Sequence, residues 1–402
     1  MNSTAPLLQL AVATPQGLSG TLLRGKNDYL YTCTPTAPPE ADVSLTMPNR
    51  PEQYVSRDLH PIFQMNLPEG YVLEQLRNRF AKAALLDPML LLAMTGQGAS
   101  IGRVSVSTPH VQRDDSGRGE RLDAILAWDG AEDLFAELAD RYLLRTGASG
   151  MQPKLLVPED VGDRPALHNA AVVMPELIVK SAGEQFPGLA VNEFVCMSIA
   201  REAGLPVPDF HLSKNARIFV MRRFDRAEDG SALGFEDMAV LMGKGSADKY
   251  ASSYEAVARA IELYCAPARQ REGLAQLFDQ VALSCILGNG DAHLKNFGVL
   301  YRHPGDEDVR LAPAYDIVNT TAYLRDDGLA LLLGGSKTFF AARANLDAFA
   351  ERCRVNDMRR RIEQLLDAAE RVVHEQQAVL ETEPHLEPAM RVNMERYARL
   401  FA

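Results

Sequence analysis

Apolar and polar positions change rhythm twice along this chain. Leu7–Thr14 and Gly20–Tyr31 contain strand-like runs set apart by Gly17 and Gly20, and a Pro-rich connection from Pro35 to Pro51 follows. Tyr71–Leu85 carries apolar residues at 72, 73, 76, 80, 84 and 85, the spacing of one face of a helix. Gly96–Ser107 reads as a glycine-containing loop that enters a strand at Val104-Ser-Val106, and Arg113–Arg121 reads as a linker.

From about Ile125 a second pattern begins. A helix over Asp133–Leu144 is predicted, then a loop Arg145–Lys154, the apolar Leu155-Leu-Val157, and a short buried strand from Pro175 to Lys180. Val191–Ala203 has helical spacing and is stopped by Gly204 and Pro206. Two strand-like runs, Asp209–Ser213 and Ala216–Met221, lead into Arg222-Arg-Phe-Asp-Arg226.

After residue 240 the periodicity is helical: Tyr254–Tyr264, Arg271–Leu287, Asn345–Cys353, Met358–Leu380 and Pro388–Leu400, broken conspicuously at Gly288–Ile317. The expected organisation is α+β, with a β-rich unit over 1–110, a small lobe over 125–226 and a helical large lobe over 227–402. A chain of 402 residues is too long for one compact core, which agrees with several units.

Charge narrows the partners. Lys and Arg number 42 against 53 Asp and Glu, a net charge of −11, which disfavours non-specific attachment to nucleic acid or anionic lipid. Five scattered cysteines without a C-x-x-C pair predict reduced, buried thiols in a cytoplasmic protein. The most apolar stretch, Leu85–Met94, is interrupted by Asp87 and Pro88, so neither a signal peptide nor a spanning helix is expected.

The chemistry concentrates in Leu287-Gly-Asn-Gly-Asp-Ala-His-Leu-Lys-Asn-Phe297 and in Ala312-Pro-Ala-Tyr-Asp-Ile317 downstream. Phosphoryl transfer asks for an acceptor that orients a hydroxyl and for oxygen ligands that hold Mg²⁺ against phosphates. Asp291 and Asn296, five residues apart, fit the first role and a metal-ligand role, and Asp316 supplies a full carboxylate charge on a short strand or turn. A lone Asp-x-x-x-x-Asn is more often two loop residues satisfying backbone donors; His293 between them adds specificity, and a zinc site there lacks a second His/Cys cluster. Lys180 ends a buried strand and needs negative charge, from nucleotide phosphates and from Glu193 or Glu184, or else a surface ion pair. Gly147 and Gly150 allow a phosphate loop before Lys154, a weak signal alone, whereas Gly243-Lys244 and Gly334-Gly-Ser-Lys-Thr338 lack Walker A spacing and read as turns.

Taken together, Asn66-Leu-Pro-Glu-Gly70, Gly150-Met-Gln-Pro-Lys154, Ile178-Val-Lys180, Asn192-Glu193, Arg223-Phe-Asp-Arg226, Glu236-Asp237, the Asp291 loop and Ala314-Tyr-Asp-Ile317 resemble, in order, the HipA family of bacterial toxin kinases. The resemblance implies a two-lobed protein-kinase-like fold carrying a small N-terminal subdomain. It also implies Ser/Thr kinase activity with ATP and Mg²⁺, on a protein substrate of the aminoacyl-tRNA synthetase class. The implied partner is a helix-turn-helix antitoxin of the HipB type, through which operator DNA is reached. Carried over by position, Asp291 is the catalytic residue and Asn296 and Asp316 are the metal ligands. The ATP-binding set is Ser149, Gly150, Met151, Gln152, Lys154, Lys180, Arg222, Arg223, Phe224 and His293. Where many members carry a phosphorylated serine this chain has Gly147, which leaves Ser149, or else Thr146, as the autophosphorylation position, with Ser149 favoured. Two other classes stay open: a lipid or small-molecule kinase, and a catalytically silent corepressor subunit.

Overall fold

A computed structural model describes residues 9–80, 87–96, 100–108, 119–129, 133–146, 152–160, 176–183, 185–340 and 343–401. The chain divides into two compact units that interleave along the sequence: 1–181, 213–236 and 301–306 form the first, and 182–212, 237–300 and 307–402 the second. The fold is α+β, as its alternating rhythms predict.

The first unit opens with an antiparallel sheet in the order Tyr54–Ser56, Tyr29–Cys33, Gly17–Arg24, Gln9–Thr14, Ser105–Ser107. Period-two alternation places Leu10, Val12 and Val106 inside. The segment Gly20–Tyr31 contributes to two strands, because a turn in which Gly25 N–H donates to the Asp28 carbonyl at 2.9 Å folds it back. Asp87 and Pro88, which interrupt the apolar stretch in the sequence, start the helix Pro88–Thr95: Asp87 accepts from Met89 N–H at 2.7 Å and Pro88 takes the first position.

A second antiparallel sheet in this unit pairs Lys154–Val157 with Leu177–Ser181, and the latter with Ile218–Arg222, so that Lys154 stands opposite Lys180. Leu155, Val157, Leu177, Val179, Ile218 and Val220 form one face of it. They share a core with Val72 and Leu76 of the helix Gly70–Phe80 and Phe135, Leu138 and Tyr142 of the helix Leu134–Tyr142.

The second unit is mainly helical. The helix Leu189–Glu202 ends as its sequence predicts, with Gly204 at φ 84° and Leu205 N–H reaching back to the Ala200 carbonyl at 3.0 Å. Tyr254–Tyr264 is capped by Ser253, and Pro267–Leu287 starts four residues earlier than expected because Pro267 is suited to a first helical turn. Arg343–Arg352, Met358–Glu375 and Leu386–Phe401 complete the unit, and Met358–Glu375 packs on both Leu189–Glu202 and Pro267–Leu287. The single helix expected over Met358–Leu380 breaks at Gln376, after which Gln377–Leu380 forms a separate turn. Gly334 and Gly335, at φ 55° and 81°, make a tight turn, as expected for that segment. All five cysteines are free and buried. Among the described residues no helix is long and apolar enough to cross a membrane.

Candidate active site

The helix Pro267–Leu287 ends at Gly288 in a left-handed conformation, and the chain enters the Asp291 loop. The glycines on either side of Asn289 are needed for space. A Cβ at Gly288 would lie 2.3 Å from Asn393 Nδ2, and one at Gly290 would lie 2.0 Å from Asp327 Oδ2 and 2.7 Å from the Gly328 carbonyl. Thr320 Oγ1 accepts Gly290 N–H at 2.8 Å, and Tyr254 Oη donates to the Ala292 carbonyl at 3.1 Å.

Within the loop the backbone is fully committed around Asp291. Asn289 Oδ1 accepts Asp291 N–H at 3.0 Å, and the Asp291 carbonyl accepts from His293 N–H at 2.7 Å and from Asn296 Nδ2 at 2.8 Å. The last bond locks the two ends of the Asp-x-x-x-x-Asn interval together. It also uses the amide nitrogen of Asn296, so the atom left for a hard cation is its oxygen.

The Asp291 side chain is 44% exposed, and Tyr250 Oη donates to its Oδ1 at 2.8 Å. His293 lies beneath, 5% exposed, with Nε2 3.7 Å from the same Oδ1 and its ring edge-on to Tyr250 at 5.0 Å. Burial, then the nearby Lys249 ammonium, pull the His293 imidazole down to about 3, so it is neutral at physiological pH.

Asp316 is brought up on a left-handed turn, φ 59°, a conformation that non-glycine residues adopt only when their surroundings hold them there. Two neighbours do so. Tyr315 Oη donates to the Lys295 carbonyl at 2.7 Å. Three residues on, Asn319 is clamped by Asn192, which accepts Asn319 N–H at 2.7 Å and donates Nδ2 to the Asn319 carbonyl at 2.8 Å; both asparagines are fully buried. The second unit therefore gathers Asp291, His293, Asn296 and Asp316, with oxygen donors on two separately anchored segments.

The other predicted residues lie in the first unit. Lys180 is 2% exposed at the end of its strand, its ammonium 5.7 Å from the Phe219 ring centre, and Lys154 opposite is half-buried, as is Gln152. Arg222 forms a bidentate pair with Glu159, and Arg223 is spent on Asp225 and the Ser100 carbonyl, while Phe224 packs edge-on to Phe235 at 5.5 Å. Any adenine contact from this stretch would thus come from the backbone and Phe224 more than from the guanidinium groups. Glu193 belongs to the second unit and is fully buried. Gly147, Ser149, Gly150, Met151 and Glu184 lie outside the described residues.

Sequence reasoning passed over Tyr250, quoted Asn289, Tyr315 and Asn192 within motifs without giving them a role, and did not pair Asn192 with Asn319. Tyr250 and Asp291 are 41 positions apart, and Asn192 and Asn319 are 127 apart, so no local spacing could have linked them.

The HipA N-terminal domain matches residues 10–107 and the HipA-like C-terminal domain matches residues 146–375. "Putative kinase Y4mE" of Sinorhizobium fredii is 28% identical over 311 residues, 70% of this chain and 69% of that protein. "Putative kinase Y4dM" of the same organism is 29% identical over 221 residues, 51% of this chain, which spans about half (52%) of that relative's length. A Haemophilus influenzae "Putative kinase" is 28% identical over 288 residues, 63% of this chain and 81% of that protein. Among solved structures, HipA of Shewanella oneidensis, determined with HipB and its operator DNA, covers 97% of both chains with a TM-score of 0.71 at 16% identity. With its C-terminal family region alone spanning more than half of its length, this chain belongs to the HipA family.

Proposed function

We propose that this chain is a Ser/Thr protein kinase of a toxin–antitoxin pair, transferring the γ-phosphoryl group of ATP to a protein hydroxyl. The observation that carries this reading is the locked pair Asp291–Asn296 beside Asp316 on its strained turn. Asp291 accepts the proton of the attacking hydroxyl; its exposed carboxylate on a fixed backbone suits that role. Asn296 Oδ1 and the Asp316 carboxylate would hold Mg²⁺, which neutralises charge on the transferring phosphate when bound. Two protein oxygens with no third clustered ligand fit a cation that takes its remaining ligands from phosphate and water, and no cluster of three or more His, Cys, Asp or Glu able to hold a metal occurs among the described residues. Lys180 and Lys154 would meet the phosphates, and residues 222–224 would border adenine. His293, neutral and buried, would support the site without adding charge.

Family membership supports a substrate of the aminoacyl-tRNA synthetase class and growth inhibition as the outcome. The solved HipA–HipB–operator assembly supports a HipB-like antitoxin as partner, with DNA reached through it. The basic segment Arg352–Arg361 agrees with that: Arg352 and Arg354 pair with Glu262, Arg359 with Glu363, Arg360 with Asp357 and Arg361 with Asp279. The isolated chain should therefore shift operator DNA weakly and lose that binding steeply with salt; tight sequence-specific binding without a partner would refute this.

The direct test is labelled ATP, Mg²⁺ and a cell lysate, followed by identification of the labelled protein. Asp291→Ala and Asp316→Ala should each lower transfer by ~10²–10⁴-fold without unfolding the protein. Parental activity in either variant rejects the site. In the same samples, mass spectrometry should find phosphate on Ser149 in the parent and none in Asp291→Ala.

A further inference from the structure

We propose that Tyr250 is the positioning residue of the catalytic carboxylate, an inference that rests on the kinase reading of Asp291. The backbone of Asp291 is fixed by Asn289, His293 and Asn296, but those bonds leave χ1 and χ2 of the side chain undetermined. Its carboxylate is 44% exposed, and an exposed Asp on a loop samples several rotamers. The Tyr250 phenol donates to Oδ1 at 2.8 Å and so selects one of them. The side chain remains 44% exposed, which gives an acceptor hydroxyl access to it.

Tyr250 can do this because it is itself held on three sides. On the chain before it, the Lys249 carbonyl accepts Leu294 N–H at 3.1 Å, which ties the segment to the catalytic loop from within. On the chain after it, the Ser252 carbonyl accepts Leu332 N–H at 3.1 Å. Its ring stands edge-on against the buried His293 at 5.0 Å, with the Lys249 ammonium 5.1 Å from the ring centre. The His293 ring, 5% exposed, is a fixed wall for the tyrosine to pack against. The phenol is 42% exposed as a residue, more than a tyrosine needs for packing, and its polar end is turned onto the one side chain where chemistry is expected.

Tyr250→Phe removes the donor and keeps the ring. A misplaced general base costs up to about 100-fold, so kcat for protein phosphorylation should fall roughly 10- to 100-fold with the KM for ATP unchanged. The discriminating readout is a double-mutant cycle on the residual rates. In an Asp291→Asn background, Tyr250→Phe should add little, because there is no carboxylate left to orient. Additive losses would mean a purely structural role, and a rise in rate or a drop in acceptor KM would mean that the phenol obstructs the substrate; either overturns the proposal. Tyr250→Phe at the parental rate, in a protein whose activity still depends on Asp291, defeats this inference alone. Absence of Asp291-dependent transfer in the parent defeats the kinase reading instead.

Discussion

Two aspartates, one in each unit, hold the same functional group in opposite surroundings. Asp225 is 4% exposed and saturated: Arg223 contacts both its oxygens at 2.8 and 2.6 Å, Gly102 N–H donates at 2.6 Å, and Arg226 lies at 3.2 Å. Asp291 also has a bonded backbone, yet its carboxylate is 44% exposed and accepts a hydrogen bond from a neutral phenol at 2.8 Å. Lone pairs already filled by two guanidinium groups and an amide cannot accept a proton from a substrate. A carboxylate held by its main chain with its oxygens toward solvent can. Both aspartates sit in segments that mark the family, Arg223-Phe-Asp-Arg226 and Asp291-Ala-His-Leu-Lys-Asn296. A motif therefore signals that a residue is needed, and the saturation of its polar atoms tells whether the need is structural or chemical.

The sharpest way to break this contrast is to remove each carboxylate and measure both activity and stability. Asp291→Ala should cost ~10²–10⁴-fold in transfer and leave unfolding unchanged, since an exposed carboxylate contributes little to folding. Asp225→Ala should do the reverse. It strands Arg223, whose side chain has no exposure, and the mostly buried Arg226, a loss of ~3–5 kcal/mol in the first unit. Chemical denaturation of the two variants beside the parent would decide. If Asp225→Ala were as stable as the parent, the cluster would not be holding the unit together.

The sequence was most legible where the information is local. The bounds of Tyr254–Tyr264 follow from its period and its Ser253 cap, and the stop at Gly204 follows from that residue's freedom at positive φ. The Asp291–Asn296 interval is likewise local, and the Asn296 amide bonds the Asp291 carbonyl across it. What failed was either a punctuation mark read with the wrong sign or a contact made across the chain. Asp87-Pro88 looks like an interruption by hydropathy and is a helix start by capping chemistry. Gln376 offers no breaker to a reader of residue types, yet the helix ends there. Asp316, expected on a strand or turn, adopts a left-handed turn because Tyr315 and the buried Asn192–Asn319 pair fix its flanks from far away in sequence. Asparagine carries no hydropathy or periodic signal that would mark such a clamp.

The smallest expected effect sharpens the comparison by pH. Burial alone would push the Asp225 carboxyl up, but the charges of Arg223 and Arg226 and the hydrogen bonds from Arg223 and Gly102 overcome it and hold the group down at about 2, against 3.8 for an ordinary Asp. Because the folded value lies below the unfolded one, the ionised group adds stability that is fully present above pH 4–5. That stability drains as pH falls through 3.8 toward 2, where the unfolded chain takes up a proton that the folded one refuses. Between pH 5 and pH 3 the parent should lose about 1 kcal/mol through this group alone. Asp225→Asn, which keeps the shape and removes the titration, should lack that slope even though it is less stable at neutral pH. Urea unfolding of parent and variant at pH 5, 4 and 3 isolates the difference, since every other titrating group is common to both. A parent-minus-variant stability that stays constant across those three values would mean that the Asp225 carboxylate is not held by its arginines, and the contrast with Asp291 would fail on the structural side.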